Sequence, residues 1–276
     1  MRPRKSGLSD TVLEEFFDAL CFVTRKVNET SFTRAMLNGF AKDALRIVSG
    51  KGEVDRILSD IIEITCLVIS DGEDCRFIHK SVQEYHAALF IQGQPDEMAT
   101  AFYSAMEARW SAWQQELMFL ALIDRYRYLK LFQIKEICKM LDTGGDLLRD
   151  GVPIELISKI CGKDYLTFGD DSTGGGISSL TLSSTGSFWP TWMLLSNSEY
   201  AVDIFAVVKN RASCEGALFK SAEGDLITID QLMKIESLKK GVEAACSMLC
   251  QLLQKELREA EDFVTHVEST KSVFQF

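Results

Sequence analysis

Apolar residues recur every three or four positions through the first sixty residues, which is the periodicity of amphipathic helices. This spacing predicts one helix over 9–24, a second that follows Thr33 and ends near Gly50, and a third over about 53–63. Ser9 or Asp10 is placed to cap the first helix. The predicted inward side of the three helices carries Val12, Leu13, Phe16, Phe17, Leu20, Val23, Leu37, Phe40, Ala41, Ala44, Leu45, Val48, Val54, Ile57, Leu58, Ile61 and Ile62.

A β-hairpin is predicted next. Residues 64–69 are rich in β-branched side chains, residues 70–74 contain an Asp-Gly turn signal, and residues 75–79 form the return strand. The following helix is predicted to begin with a capping box, in which the Ser81 hydroxyl satisfies an orphan amide and Glu84 reaches back to the cap. His79 then lies on the short connection between strand and helix. One face of the helix is shared by Val82, Tyr85 and Leu89.

The second half of the chain begins as helix and then changes character. Helices are predicted over 96–124, with Asp96 as the cap, over 130–141, and from Pro153 to Ile160. After about residue 163, short strands and a glycine-rich loop indicate a small β element. Its predicted parts are a strand at 165–168, the loop at 169–176, strands at 177–182, 187–195 and 226–229, and a helix behind a second capping box at 196–199.

A long helix over about 230–267 is predicted to end the chain. Its apolar residues alternate spacings of three and four, which is typical of a helix that packs lengthwise on a partner. The pattern lasts little more than two heptads, so the sequence favours a partner helix in the same chain over a coiled-coil dimer. The residues of this seam are Ile235, Leu238, Val242, Ala245, Leu249 and Leu252.

Composition and charge restrict the partners. The chain has 276 residues, of which 46% are hydrophobic and 25% are charged, as in ordinary globular proteins. Its net charge of −10 disfavours non-specific binding to nucleic acid or anionic membrane. No run of about 18 apolar residues predicts a transmembrane helix. The 8 cysteines contain no C-x-x-C pair, which is typical of free thiols in a reducing cytoplasm.

No catalytic or cofactor motif stands out. The chain lacks the P-loop pattern, since Gly50-Lys51-Gly52 has no hydroxyl for Mg²⁺ and the loop at 169–176 carries two carboxylates and feeds a strand. We therefore expect no enzyme activity and no cofactor in this chain. A zinc site is also disfavoured, because the cysteine spacing matches no recognised zinc finger. Its candidate ligands would be Cys66, Cys75, His79 and His86.

The stretch around the second strand of the hairpin carries a longer pattern. It resembles the winged-helix signature of NACHT-type proteins, the STAND signalling NTPases that include animal NOD-like receptors and bacterial anti-phage proteins. Val82 and His86 depart from it, since the family usually has aromatic residues at both sites. The residues that fit are Phe77, His79, Ser81, Gln83, Glu84, Tyr85, Ala87 and Ala88.

The resemblance and the periodicity together predict a mainly α fold with three domains. These are a winged helix with its hairpin over 1–92, a helical domain over 93–162, and a small α+β domain over 163–276 that ends in the long helix. The last domain stands where bacterial relatives place a sensor. The resemblance itself is specific only around residues 60–92.

The resemblance also implies a function. The chain would be the regulatory C-terminal half of a cytoplasmic NACHT-type defence protein, with the nucleotide-binding domain on the same or a separate chain. In relatives the motif histidine contacts the β-phosphate of ADP and holds the resting state, a role that would fall to His79. ADP or ATP is thus expected in the missing domain, and a protein or phage-derived trigger is possible. The other motif residues, Phe77, Ser81, Gln83, Glu84 and Tyr85, would be structural.

A DNA-binding winged-helix regulator, dimerised by the C-terminal helix, is the alternative. Residues 1–60 contain ten Lys and Arg against nine Asp and Glu, and these cations could form a basic face. However, the tip of the predicted hairpin, Asp71-Gly72-Glu73-Asp74, is acidic where a DNA-binding wing needs cations. The sequence therefore favours the signalling role.

Overall fold

The computed structural model describes residues 4–48, 50–147, 165–168, 219–221, 224–228, 231 and 234–273. Within these residues the chain is mainly helical and contains two small antiparallel sheets. The chain divides into two compact units, Met1–Tyr128 and Leu129–Phe276. The domain boundaries after residues 92 and 162 stay predictions.

The first unit opens with three helices and three short strands, and the first strand lies between the first two helices. Ser9 caps the first helix by accepting the Val12 N–H at 3.4 Å, and Thr33 caps the second by accepting the Met36 N–H at 3.2 Å, so both predicted starts are confirmed. The elements are α1 (Asp10–Lys26), β1 (Ser31–Thr33), α2 (Arg34–Ile47), α3 (Val54–Asp60) with a π-helical turn (Ile61–Thr65), β2 (Val68–Asp71) and β3 (Asp74–Phe77).

The hairpin is shorter than the sequence predicted. Residues 64 and 65 are helical rather than extended, and the Thr65 hydroxyl donates back to the Ile61 carbonyl at 2.6 Å. Cys66 then ends the helix in the left-handed conformation, with φ of 56°. The strands meet at a two-residue loop whose first position is Gly72, with φ of 62°, a conformation that glycine adopts without strain.

Strand β1 is not predicted by the sequence pattern, and it makes the hairpin a three-stranded sheet in the order β1-β3-β2. Ser31 pairs with Arg76 and Thr33 with Asp74. Three residues are too few for an alternating pattern to be recognised. The strand is held by the packing of Phe32 on Phe77. Phe32 is 2% exposed, and its ring lies edge-on to that of Phe77 with 6.0 Å between the ring centroids.

The rest of the first unit is helical. The predicted helix over 96–124 is interrupted by a 3₁₀ turn in which Trp110 and Trp113 face inward, with exposures of 6% and 8%. Asp96 is not the cap, because Pro95 takes that position and its carbonyl accepts the Ala99 N–H. The elements are α4 (Lys80–Gln92), α5 (Asp96–Arg109), the 3₁₀ turn (Trp110–Trp113), α6 (Gln114–Ile123) and α7 (Arg125–Tyr128).

Arg127 of α7 binds the end of α4 and the connections on either side of α5 and α6. Its guanidinium donates to both oxygens of Asp124 at 2.9 and 3.0 Å and to the Gln94 carbonyl at 2.8 Å. It also donates to the Gln92 carbonyl at the end of α4. The arginine thus satisfies a carbonyl at the end of α4 and one in the connection from α4 to α5, and it fixes that connection.

The second unit begins with a π-helical turn (Leu129–Gln133) and α8 (Ile134–Leu147). Strands β4 (Tyr165–Phe168), β5 (Phe219–Ser221) and β6 (Gly224–Thr228) form an antiparallel sheet in the order β4-β6-β5. The predicted elements at 153–160, 169–182 and 187–199 lie outside the described residues.

The last helix, α9 (Glu236–Val273), starts and ends about six residues later than predicted. It packs on α8 and on the π-helical turn. Leu253, Ala260 and Val264 are its buried side chains among those the structure describes. No helix within the described residues combines the length and the apolar character needed to cross a membrane.

The N-terminal segment, residues 4–9, is tied to the end of α3 by one carboxylate. Asp60 is fully buried and accepts the backbone N–H of Lys5 at 2.8 Å, the N–H of Ser6 at 2.9 Å, and the Ser6 hydroxyl. Burial by itself raises the pKa of Asp60, but the hydrogen bonds from Ser6 and Lys5 outweigh it and hold that pKa below its ordinary value. The chain therefore reaches α1 in a fixed direction.

We predict that Asp60→Asn destabilises the first unit by about 1.5–3 kcal/mol at pH 7, because hydrogen bonds to an ionised carboxylate are lost. A lowered folded-state pKa contributes stability that is complete above the unfolded pKa, about 3.9, and is lost as the pH falls through the lower folded value. Urea unfolding of wild type and variant should therefore converge at strongly acidic pH. The control is Asp71→Asn at the exposed hairpin tip, which should stay within about 0.5 kcal/mol of wild type. An equal loss in both variants would contradict the prediction.

Candidate functional site

Helix α4, which carries the signature, begins two residues earlier than its predicted capping box. His79 is the N-cap, with an extended backbone (φ −151°, ψ 145°), and its Nδ1 accepts the Ser81 N–H at 3.1 Å. The imidazole Nδ1 thus fills the place that the oxygen of a capping Asp or Asn fills in other helices. The predicted box of Ser81 and Glu84 is wrong, because Ser81 is already the second helical residue. Glu84 pairs instead with Lys80 at 3.2 Å.

The cap also sets the proton position on the His79 ring. Nδ1 accepts the Ser81 N–H and lies 2.6 Å from the Ser81 hydroxyl oxygen. Because an accepting ring nitrogen carries no proton, the neutral ring holds its proton on Nε2. The side chain is exposed, and no hydrogen bond joins Nε2 to another described residue. His79 therefore presents one oriented N–H donor at the surface.

The buried face of α4 is partly polar. Gln83 and Glu84 are 0% and 5% exposed, while Ala87 and Ala88 allow close packing on α1. The face predicted from Val82, Tyr85 and Leu89 is the less buried one. Gln83 and Glu84 therefore belong to the interior, whereas His79 at the start of the helix is exposed.

Gln83 belongs to a buried polar junction formed with Thr24, Arg25 and Glu116, which links α4 to α1 and α1 to α6. Gln83 Nε2 donates to the Thr24 hydroxyl at 2.9 Å and to the Glu29 carbonyl at 3.1 Å. Thr24 in turn donates to carbonyls of its own helix at 2.9 Å. A buried amide that bridges two elements holds them in one register, because breaking it leaves unpaired polar atoms in the interior.

The charged pair of the junction is Arg25 with Glu116, which are 5% and 0% exposed. The guanidinium contacts both oxygens of Glu116 and also donates to the Ala112 carbonyl at 2.6 Å and to Asn28 at 2.7 Å. It lies over the Trp113 ring, 5.4 Å from the centroid. Burial raises the pKa of the Glu116 carboxyl, and the adjacent Arg25 opposes that rise.

The two aromatic signature residues have different surroundings. Phe77 is 5% exposed and lies edge-on to Phe17, with 6.1 Å between ring centroids, so it belongs to the core. Tyr85 is 39% exposed and lies edge-on to Phe119 at 5.3 Å. Phe77 thus packs in the core, as a structural residue would, whereas Tyr85 covers the edge of α6.

His86, where the resemblance departs from the signature, has its own partner. Its Nδ1 lies 2.6 Å from an Asp18 oxygen, and its ring stands edge-on to Phe17 at 4.7 Å between ring centroids.

The candidate zinc ligands do not share one environment. Cys66 is exposed, whereas Cys75 is buried with its thiol 3.7 Å from the Ser70 hydroxyl. In the part of the chain that the structure describes, no group of three or more His, Cys, Asp or Glu side chains could hold a metal ion.

Sequence reasoning missed the charged half of the polar junction. Arg25 stands at the end of the apolar stripe of α1, and Glu116 stands next to the apolar run that begins at Leu117. Each charge borders an apolar stretch, which is a weak signal for a buried charge. The pattern alone does not say which opposite charge pairs with it, because the two residues are 91 positions apart.

Comparison with known proteins adds no relative. No family model matches this chain, and neither does any curated protein or solved structure.

We predict that Glu116→Leu alone destabilises the fold by about 3–5 kcal/mol, because it leaves Arg25 buried without its counter-charge. The double variant Arg25→Met with Glu116→Leu should recover most of that loss, since two apolar side chains can replace a buried pair at little cost. Urea unfolding of the two single variants and the double variant measures the coupling. A double variant as unstable as the sum of the single ones would show that the pair is not coupled.

Proposed function

We propose that this chain is the regulatory part of a NACHT-type signalling protein, in which residues 1–92 form a winged helix whose His79 contacts nucleotide bound to a NACHT nucleotide-binding domain. That domain would lie on the same or on a separate chain. The proposal is supported by the order of elements, since three helices, a hairpin and then a helix is the order expected of this module. The short strand β1 pairs with β3 and extends the hairpin to a three-stranded sheet.

The observation that carries the proposal is the placement of the His79 ring. An exposed imidazole at a helix start, with Nδ1 occupied by the cap, is oriented to donate from Nε2 to an anion. Phosphate oxygens accept such hydrogen bonds, and a protonated ring would bind them more strongly. The N-terminal end of a 13-residue helix adds a favourable partial charge for a phosphate group.

The polar junction supports the proposed transmission of a signal. Buried hydrogen bonds tie α4, the helix that follows His79, to α1, and tie α1 to α6. A change at the nucleotide would therefore move these helices together rather than bend α4 alone. In the proposed cycle, loss of the His79 contact on exchange of ADP for ATP releases the resting state. A protein or phage-derived trigger would favour that exchange, and residues 163–276 would stand in the sensor position.

The DNA-binding alternative is less favoured by the surface charges. Asp71, Glu73 and Asp74 at the hairpin tip are all exposed. Carboxylates at this point would repel the phosphates that a DNA-binding wing contacts.

The test uses two variants of the protein together with its nucleotide-binding domain. His79→Ala removes both the cap and the Nε2 donor, whereas His79→Asn removes the donor but keeps a side chain that caps helices well. We expect both variants to bind ADP about tenfold more weakly, the effect of one charge-assisted hydrogen bond, and to show raised resting activity. Isothermal titration with ADP measures the affinity.

The His79→Asn variant, which keeps a capping side chain, separates the loss of the helix cap from the loss of the Nε2 donor. If only His79→Ala weakens ADP binding, the histidine acts through the helix cap and not through nucleotide contact. If neither variant changes ADP affinity, the proposed contact does not exist. The partner domain itself is found by sequencing the DNA that precedes the codon for Met1, and a continuous frame that encodes a P-loop would provide the protein for this titration.

A further inference from the structure

Helix α6 carries apolar side chains on its outer side. The buried side of this helix includes the carboxylate of Glu116, which is 0% exposed, whereas Leu122 on the outer side is 80% exposed. The outer residues have the spacing i, i+3, i+4 and i+7 that normally marks the packed side of a helix. They are Gln115, Met118, Phe119 and Leu122.

Helix α4 adds a second apolar stripe beside the first. Val82, Tyr85 and Leu89, which the sequence pattern places on one face, lie on the outer side of α4 together with Gln92. Tyr85 is 39% exposed, and its ring lies edge-on to that of Phe119 with 5.3 Å between the ring centroids. The two stripes therefore adjoin, and the eight residues form one surface, the α4–α6 face.

The exposed leucine of this face lies away from His79. Helices α4 and α6 run in the same direction, because Tyr85 contacts Phe119 while Arg127, four residues beyond α6, binds a carbonyl at the end of α4. Leu122 is therefore next to the second half of α4, roughly 15 Å of helix from the His79 cap. A change at Leu122 leaves the residues of the proposed nucleotide contact in place.

The α4–α6 face contains no Lys, Arg, Asp or Glu. The charged residues of the two helices lie elsewhere, since Glu116 is buried beside Arg25, and Glu84 is 5% exposed and pairs with Lys80 at 3.2 Å. The face consists of six apolar side chains and two glutamines, in a chain of which 25% of the residues are charged. A charged partner surface would lose its hydration against this face without gaining a counter-charge. The face therefore fits another uncharged, apolar surface.

We propose that the α4–α6 face binds the same face of a second copy of this chain. A two-fold axis brings two identical faces together, so each copy supplies the uncharged apolar surface that the other requires. The exposed Leu122 side chain of each copy packs on the apolar residues of the other copy and leaves water. This contact does not depend on the function proposed for His79.

The size of the face sets the strength of the contact. Helix α4 has 13 residues and is thus about 20 Å long, and two neighbouring helices are together roughly 20 Å wide. Each copy therefore contributes about 400 Å², which is the size of a transient interface and not of an obligate one. We expect a reversible dimer with a Kd of roughly 10–100 µM.

Sedimentation equilibrium of the full chain measures this association. The chain is studied from about 5 to about 500 µM, a range that brackets the expected Kd, at about 0.15 M salt so that the repulsion between acidic chains is screened. We expect the average mass to rise with concentration from that of one chain towards that of two chains.

Two variants place charges of opposite sign on the face at exposed positions. Leu122→Glu and Gln115→Arg should each weaken the dimer at least about tenfold, because the new charge loses water without a counter-charge. General electrostatics predicts otherwise, since Gln115→Arg reduces the net charge of −10 and would strengthen the association of an acidic protein. The matched control is Met98→Glu on α5, where the methionine is 53% exposed, and it should change the Kd less than about twofold.

Three results would overturn the proposal. The first is a chain that stays monomeric at the highest concentration, which would leave the face to a different protein. The second is a dimer that a folded Leu122→Glu or Gln115→Arg variant leaves unchanged, which would place the contact on another surface. The third is equal weakening by Met98→Glu, which would mean unspecific association. Circular dichroism checks that each variant is folded, and Gln115→Arg decides the question if Leu122→Glu does not fold.

Discussion

The buried contact between Arg25 and Glu116 is the constraint on which the arrangement of the first unit depends. Both side chains are removed from water, so each charge requires the other at short range. This requirement sets the distance between α1 and α6, and Gln83 places α4 against the same end of α1. Apolar packing alone would tolerate several registers of these helices, whereas buried polar atoms tolerate only the register that pairs them.

Helix α4 combines two tasks at different points along its length. Its interior side carries polar and small residues that fix it to α1, and its start presents the His79 ring to solvent. The rigid part therefore holds the exposed part in a defined position. In the function proposed for this chain, that combination allows a hydrogen bond to one phosphate to be coupled to the position of a whole group of helices.

Much of the fold was predictable because local chemistry decided it. Ser9 and Thr33 cap the helices that the periodicity predicted, and the Asp-Gly signal lies at the hairpin loop. The errors occurred where the local preference did not decide the structure. Ile64 and Thr65 have strand propensity but continue a helix, β1 exists because Phe32 packs on Phe77, and the tryptophans at 110 and 113 interrupt a helical stretch as they turn into the core.

The sequence by itself determined the positions of most helices, the hairpin, and the signature that draws attention to residue 79. It could not show that His79 rather than Ser81 caps α4, because both can accept an amide proton and only the path of the chain from Phe77 selects between them. Nor could it pair Arg25 with Glu116 or bring Asp18 to His86. Those contacts join residues far apart in the chain, and only the packed tertiary structure brings them within hydrogen-bonding distance.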